Sequence, residues 1–359
     1  MHRFYRFALR PAVIVAALAL WPCTGSFATI QPNTGHPRAA AGARRAFATT
    51  SCSSSPCIYT TNGATIGQLA ATYSVTTYPA SATGNVTPLE TITGNQNKLA
   101  EVSGVTVGGT GDVYVSDFAG IMNSHRGRLA VYAAGANGNA RPLRRIYGPN
   151  TDVAQPTGIA LDANQNIYST NLSTKSVTVF SPQAHADATP IAVISGSNTL
   201  FSVPSGIALD ASANIYVLDE GFPQSILTFA AGSNGNVKPV RAIRGSNTGM
   251  NSPDGIGLDS TGNMYVADFA LQSVFVFAAG ATGNVAPIRT ITGSNTALQF
   301  PSGVTVDSTG KIYVSNRGGI FGGAAITVYP AGANGNMSPI QDITGSNTGL
   351  SETGSIAVH

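Results

Sequence analysis

Charge is scarce in this chain: only 10% of its 359 residues are Asp, Glu, Lys or Arg. Hydrophobic residues make up 43%, which excludes a disordered polyelectrolyte and leaves material for a large core. Nowhere do five like charges follow one another, so no nucleic-acid-binding arm is written into the chain. Three cysteines are too few for a disulfide-built scaffold. Histidine occurs five times and tryptophan once, as Trp21. Past the N-terminal segment, no apolar run approaches the ~20 residues of a membrane-spanning helix.

The N-terminus reads as an address. Arg3, Arg6 and Arg10 precede the apolar stretch Pro11 to Trp21, and Ser26-Phe27-Ala28 supplies small residues where a signal peptidase cuts. Residues 1–28 are therefore expected to be a secretory signal, with an uncleaved anchor or lipid attachment at Cys23 as alternatives. Residues 29–56, rich in Ala, Thr, Ser, Gly and Pro, read as a flexible linker. Losing the three leader arginines leaves 16 basic residues against 16 acidic ones. The formal charge of +3 thus implies no polyanionic partner. In an oxidising compartment Cys52 and Cys57 are expected to form a disulfide, two free thiols being the alternative.

The rest of the chain repeats itself. Gly-Ser-Asn-Thr begins at Gly196, Gly245, Gly293 and Gly345, with altered copies at Gly94 and Gly148. Eleven residues after each glycine stands a bulky–small–bulky strand: Val105-Thr106-Val107, Ile159-Ala160-Leu161, Ile207-Ala208-Leu209, Ile256-Gly257-Leu258, Val304-Thr305-Val306 and Ile356-Ala357-Val358. Period two puts the small residue opposite its neighbours, against something crowded. A turn such as Asp259-Ser260-Thr261-Gly262-Asn263 follows. The second strand carries Tyr59, Tyr114, Tyr168, Tyr216, Tyr265 or Tyr313. The third ends in Tyr78, Tyr132, Phe180, Phe229, Phe277 or Tyr329. The fourth is announced by Pro88, Pro142, Pro190, Pro239, Pro287 or Pro339, as suits an outer edge. Basic residues such as Arg144, Arg241 and Arg289 gather there, where charge discourages edge-to-edge aggregation.

Four short antiparallel strands per unit of roughly 50 residues predict a β-propeller. The first ordered segment, Ile58-Tyr59-Thr60, reads as a second strand, and Ile356-Ala357-Val358 reads as a first. The expected fold is therefore all-β: a six-bladed propeller over 57–359, closed by a composite blade of one C-terminal and three N-terminal strands.

Pro253-Asp254-Gly255-Ile256-Gly257-Leu258-Asp259-Ser260-Thr261-Gly262-Asn263-Met264-Tyr265-Val266-Ala267-Asp268, followed by Val274-Phe275-Val276-Phe277, closely resembles an NHL repeat. Residues 204–229 and 301–329 match nearly as well, and the resemblance covers 57–359. It implies a propeller more firmly than an activity. NHL-type propellers include binding platforms for protein or RNA and a metal-dependent amidating lyase. The neighbouring gluconolactonase-like and streptogramin-lyase-like propellers are enzymes.

On such a scaffold the loops between strands two and three share a face with the connections between blades. That face is expected to hold Asn62, Asp117, Asn171, Asp219, Asp268 and Asn316, each ending a second strand, together with Glu101, Glu220, Asp254 and Arg317. Two readings stand side by side. The oxygens ring a channel mouth and hold a ligand or a hard, calcium-like divalent cation, or each residue caps backbone N–H groups. The longest inserts, 118–127 with His125 and Arg126, and 317–324 with Arg317, mark the blades where a ligand would sit. His125, His185 and His359 fall too far apart in the repeat to form a zinc site or a Ser-His-Asp triad. No Gly-x-Ser-x-Gly elbow or phosphate loop is present. The expectation is an exported monomer without a cofactor, binding a protein or polymer through its loop face. The alternative is a metal-assisted hydrolase or lyase using some of Glu101, Asp117, Asn171, Asp219 and Asp268.

Overall fold

The computed structural model describes Cys52 and residues 56–63, 73–93, 99–118, 127–318 and 323–359. The leader, nearly all of the linker, His125, Arg126 and the tips of both inserts lie outside the described residues.

Twenty-four strands form six four-stranded antiparallel sheets. Blade 1 contains β1 (Cys57–Asn62), β2 (Ser74–Pro79) and β3 (Glu90–Ile92). Blade 2 is β4 (Val102–Val107), β5 (Val113–Asp117), β6 (Arg128–Tyr132) and β7 (Arg144–Ile146). Blade 3 is β8 (Pro156–Leu161), β9 (Ile167–Asn171), β10 (Ser176–Phe180) and β11 (Ala192–Ser195). Blade 4 is β12 (Pro204–Leu209), β13 (Ile215–Asp219), β14 (Ser225–Phe229) and β15 (Arg241–Arg244). Blade 5 is β16 (Pro253–Leu258), β17 (Met264–Asp268), β18 (Ser273–Phe277) and β19 (Arg289–Ile291). Blade 6 is β20 (Pro301–Val306), β21 (Ile312–Asn316), β22 (Ala325–Tyr329) and β23 (Gln341–Thr344). The last strand, β24 (Thr353–Val358), returns to pair with β1 and completes blade 1 in the order β24-β1-β2-β3. The protein is a six-bladed β-propeller.

The first strands β24, β4, β8, β12, β16 and β20 stand side by side around the inner ring. The crowding that keeps their alternate positions small comes from the neighbouring first strand. A Cβ on Gly257 would lie 2.7 Å from the Val304 carbonyl oxygen of the next blade. Side-chain hydroxyls lace the same ring. Ser103 donates to the Pro156 carbonyl at 2.6 Å, Thr157 to Pro204 at 3.1 Å and Ser302 to Thr353 at 2.6 Å. Between blades, the aromatics that end the third strands are fully buried: Tyr78, Tyr132, Phe180, Phe229, Phe277 and Tyr329. Truncating one such side chain to Ala typically costs about 3–5 kcal/mol.

The outer seams explain the Gly-Ser-Asn-Thr phrase. In each blade the turn between strands three and four rides beside the fourth strand of the preceding blade and forms one parallel bridge with it. At the closing seam, Gly84 N–H donates to the Asp342 carbonyl and Thr344 N–H donates to the Gly84 carbonyl. The Asn that follows the last glycine of the turn then reaches into the phrase. Asn85, Asn236, Asn284 and Asn336 accept from the backbone N–H of Asn347, Asn198, Asn247 and Asn295, each at 2.7 Å. Asp187 does the same for Asn150 at 2.8 Å. Two sequence phrases about forty residues apart are thus halves of one inter-blade clasp. They also cover the outer sheet edges, which are otherwise templates for aggregation. The phrase's glycine is required because its φ is positive, 122° at Gly345.

Blade 1 is held by the two ends of this region. Cys57 N–H donates to the His359 carbonyl at 2.8 Å, and His359 N–H returns a bond to the Cys57 carbonyl at 3.1 Å. Cys57 is also disulfide-bonded to Cys52.

Candidate functional site

The face carrying the inter-blade connections and the loops between strands two and three is built from one register, used six times. Asn62, Asp117, Asn171, Asp219, Asp268 and Asn316 all lie at its base, buried inside their blades. Their oxygens accept from backbone N–H groups 16 or 17 residues upstream in blades 2 to 6, just before the first strand. Asp117 takes Ala100 at 3.1 Å and Glu101 at 2.8 Å, and Asp219 takes Ser202 at 2.7 Å and Val203 at 3.1 Å. Asp268 takes Asn251 at 2.7 Å and Ser252 at 3.0 Å, while Asn316 takes Gln299 at 3.0 Å and Asn171 takes Ala154 at 3.3 Å. Asn62 accepts from Ser351 at 3.2 Å, across the ring closure. The capping reading of these six describes their bonding: each ties the incoming connection to its second strand.

Asp117 carries an additional partner. Arg128, at the start of β6, brings both Nε and Nη2 to 2.7 Å from Oδ2, making a largely buried ion pair. Asp254 is half-buried on β16, at the position held by Ser103, Thr157, Ser205 and Ser302 in other first strands.

Above the caps, the residue after each cap donates its N–H to the carbonyl of the residue just before the first strand. These six pairs are Gly63–Glu352, Phe118–Glu101, Leu172–Gln155, Glu220–Val203, Phe269–Ser252 and Arg317–Phe300. The backbone of the rim is therefore uniform while its side chains differ in kind from blade to blade. Neighbouring blades meet through them. Phe269 packs on Phe300 with ring centroids 4.9 Å apart, and Arg317 approaches Glu352 at 3.5 Å. At this exposure the ion pair is worth about 1 kcal/mol or less. Tyr73, just before β2, joins the charged side: burial foremost, then Glu101, Glu352 and Asp117, raise its pKa, and Arg317 opposes them. Farther along the same face, Phe222 is 89% exposed.

Of the residues singled out from sequence, Glu101, Glu220 and Arg317 reach this rim, and the six strand-ending residues lie beneath it. Tyr73, Phe222, Phe269, Phe300 and Glu352 escaped the sequence reading, because they sit at loop positions with no repeating residue type. For Phe269, Phe300 and Glu352 the signal is the offset from the caps, one residue beyond a cap or the residue just before a first strand, whereas Tyr73 and Phe222 stand at neither offset. His185 is exposed with its Nδ1 3.1 Å from the Gln183 carbonyl, and His359 sits at the closure. Among the described residues, no group of three or more His, Cys, Asp and Glu is arranged to hold a metal ion, and no helix is long and apolar enough to cross a membrane.

No protein-family model matches the chain, and no curated protein matches it in sequence. Solved structures do resemble it. A protein of unknown function from Bacteroides caccae aligns with a TM-score of 0.56 at 12% identity, over 85% of this chain and 99% of that one. A protein from Lactobacillus plantarum gives 0.54 at 14% identity, covering 84% and 99%. A candidate 6-phosphogluconolactonase from Bacteroides fragilis gives 0.53 at 17% identity, covering 84% of each chain. At these identities the likeness concerns the fold alone.

Proposed function

We propose that the protein is an exported, NHL-type propeller that binds a protein or polymer ligand through its loop face and performs no chemistry of its own. One observation carries this reading. The repeated carboxylates and amides of the face are committed to backbone clasps, while the rim above them varies from Phe269/Phe300 to Arg317/Glu352 on a constant backbone. A surface of that design supplies apolar and charged contacts to a partner without converging a nucleophile and a base. The basic–apolar–small pattern of residues 1–28 supports export, and a Cys52–Cys57 bond suits an oxidising compartment.

The test uses the purified chain from residue 29 onward, presented to arrays of glycans and exported proteins. A Phe222→Ala/Arg317→Ala variant is the control. Binding that the variant loses, without turnover of lactones or cyclic depsipeptides, is the expected outcome. Turnover abolished by one rim substitution, or by removal of a stoichiometric divalent ion, would replace this reading with the hydrolase or lyase.

A further inference from the structure

Three blades fill their outer seam with an arginine laid against the tyrosine of the second strand. Arg144 Nη2 donates to Tyr114 Oη at 3.2 Å, Arg241 to Tyr216 at 3.4 Å and Arg289 to Tyr265 at 3.0 Å. The guanidinium carbons of Arg144 and Arg289 stand 5.8 and 6.0 Å from the ring centroids. Each arginine opens the fourth strand in the row that also holds the tyrosine, such as Tyr265, Val276 and Arg289. In blade 5 the row continues to a carboxylate, because Tyr265 donates to Asp259 Oδ2 at 3.2 Å. The unit is an Asp–Tyr–Arg chain, with one negative and one positive charge.

Blade 3 keeps the carboxylate and the tyrosine and lacks the arginine. Tyr168 donates to Asp162 Oδ2 at 3.4 Å, and the row runs Tyr168, Val179, Ala192. Ala192 stands where Arg144, Arg241 and Arg289 stand, and a methyl group cannot reach the ring. At this place the structure has a cleft of about 300 Å³. Asn166, Tyr168, Ile191 and Ala192 line it from blade 3, and Ser233 and Asn234 line it from the turn of blade 4. The composite blade and blade 6 carry Glu90 and Gln341 at this position, side chains long enough to occupy it.

We infer that this cleft takes a guanidinium group from outside the chain, seated on the Tyr168 ring where the other blades seat their own arginine. The chemistry is complementary at each point. The tyrosine face attracts a cation, its hydroxyl oxygen accepts an N–H while its proton goes to Asp162, and the Asp162 charge has no intrablade arginine to balance it. Ile191 and Val179 supply apolar surface for the ligand's methylene arm. The guanidinium comes either from a free alkylguanidine or from an arginine side chain of a bound polypeptide.

Calorimetric titration with agmatine, and separately with N-acetyl-Gly-Arg-Gly-amide, tests the inference. One site per chain is expected for agmatine. Binding of the tripeptide as well identifies an arginine side chain as the source, and binding of agmatine alone identifies a free alkylguanidine. Ala192→Arg, which supplies the missing group from within, and Ala192→Leu, which fills the space without charge, should each weaken agmatine by about tenfold or more. Both variants should unfold at or above the parent temperature, so that lost binding is not lost folding. Arg289→Ala should open the equivalent cleft in blade 5 and raise the stoichiometry to two. Absence of agmatine binding to the parent protein, or binding by both Ala192 variants as tight as the parent's, would overturn the inference.

Discussion

Asn171 Nδ2 donates to Thr178 Oγ1 on the adjacent strand at 3.1 Å, and this bond decides which blades carry an amide cap and which a carboxylate. Asn62 finds Thr76 at 3.0 Å and Asn316 finds Thr327 at 3.0 Å in the same position, two residues before the third-strand aromatic. The three Asp caps face Ala130, Leu227 and Phe275 there, which accept nothing. A buried amide N–H₂ needs an acceptor, whereas a carboxylate has no donor to satisfy. Asp219 and Asp268 instead collect further N–H groups, from Gly221 at 2.9 Å and Leu271 at 3.1 Å.

Thr178→Val should therefore lower unfolding stability by about 1–3 kcal/mol, the cost of a buried donor left short of a partner. Asp268→Asn should lose a similar amount, since its new amide would face Phe275. In a double-mutant cycle by urea denaturation, Asn171→Asp combined with Thr178→Val should cost less than the sum of the single changes. Additive losses would mean that the pairing does not select the cap.

Closure of the ring makes its last strand a global element. Deleting residues 351–359 removes β24 together with its bonds to β1 and to the connection at Gly63. The melting temperature of the whole propeller should fall, followed by circular dichroism. An unchanged transition would contradict closure by β24.

Gly345→Ala should weaken the final seam. Its added Cβ would stand 2.6 Å from Asn85 Oδ1, and the φ of +122° is strained for any L side chain. A loss of more than about 1 kcal/mol is expected by chemical denaturation. Gly109→Ala should cost less, because the nearest atom to its Cβ would be Gln165 Nε2 at 3.9 Å.

Acid sensitivity should arise in the turns after the first strands. At Asp259, burial pushes the carboxyl pKa up, but hydrogen bonds from Thr261 and Asn263 outweigh burial and hold it below the ordinary 3.8. Asp210 and Asp307 are lowered in the same balance of burial against hydrogen bonds. A pKa depressed by folding contributes stability that is present above the unfolded value and lost as pH falls through the folded one. Melting temperature should therefore decline as pH falls from about 4, near the ordinary carboxyl value, toward 2. The decline should flatten in Asp259→Asn/Asp307→Asn.

Phe277→Ala tests the aromatic spine between blades. Full burial predicts a loss of about 3–5 kcal/mol, measured by urea unfolding. A loss below 1 kcal/mol would mean that the neighbouring blade collapses into the vacated space.

Much of the propeller is legible in one dimension, because every blade repeats the same local chemistry. Alternation at Ile256-Gly257-Leu258, the Asp259–Asn263 turn and the third-strand aromatics each act within one unit of about 50 residues, and matching partial units at the two ends imply a composite blade. What the strand-ending Asp and Asn residues bond to is decided only in the folded ring. In blades 2 to 6 their acceptor bonds run to connections 16 or 17 residues away, and the same letters in sequence serve a cation site or a clasp equally well. The tie between Asn85 and the phrase at Gly345 joins residues 262 apart in sequence, so no local pattern announces it. Ala192 carries the same lesson. In sequence it is one more small residue, and only the packing of blade 3 against blade 4 turns a missing arginine into a space with a definite chemistry.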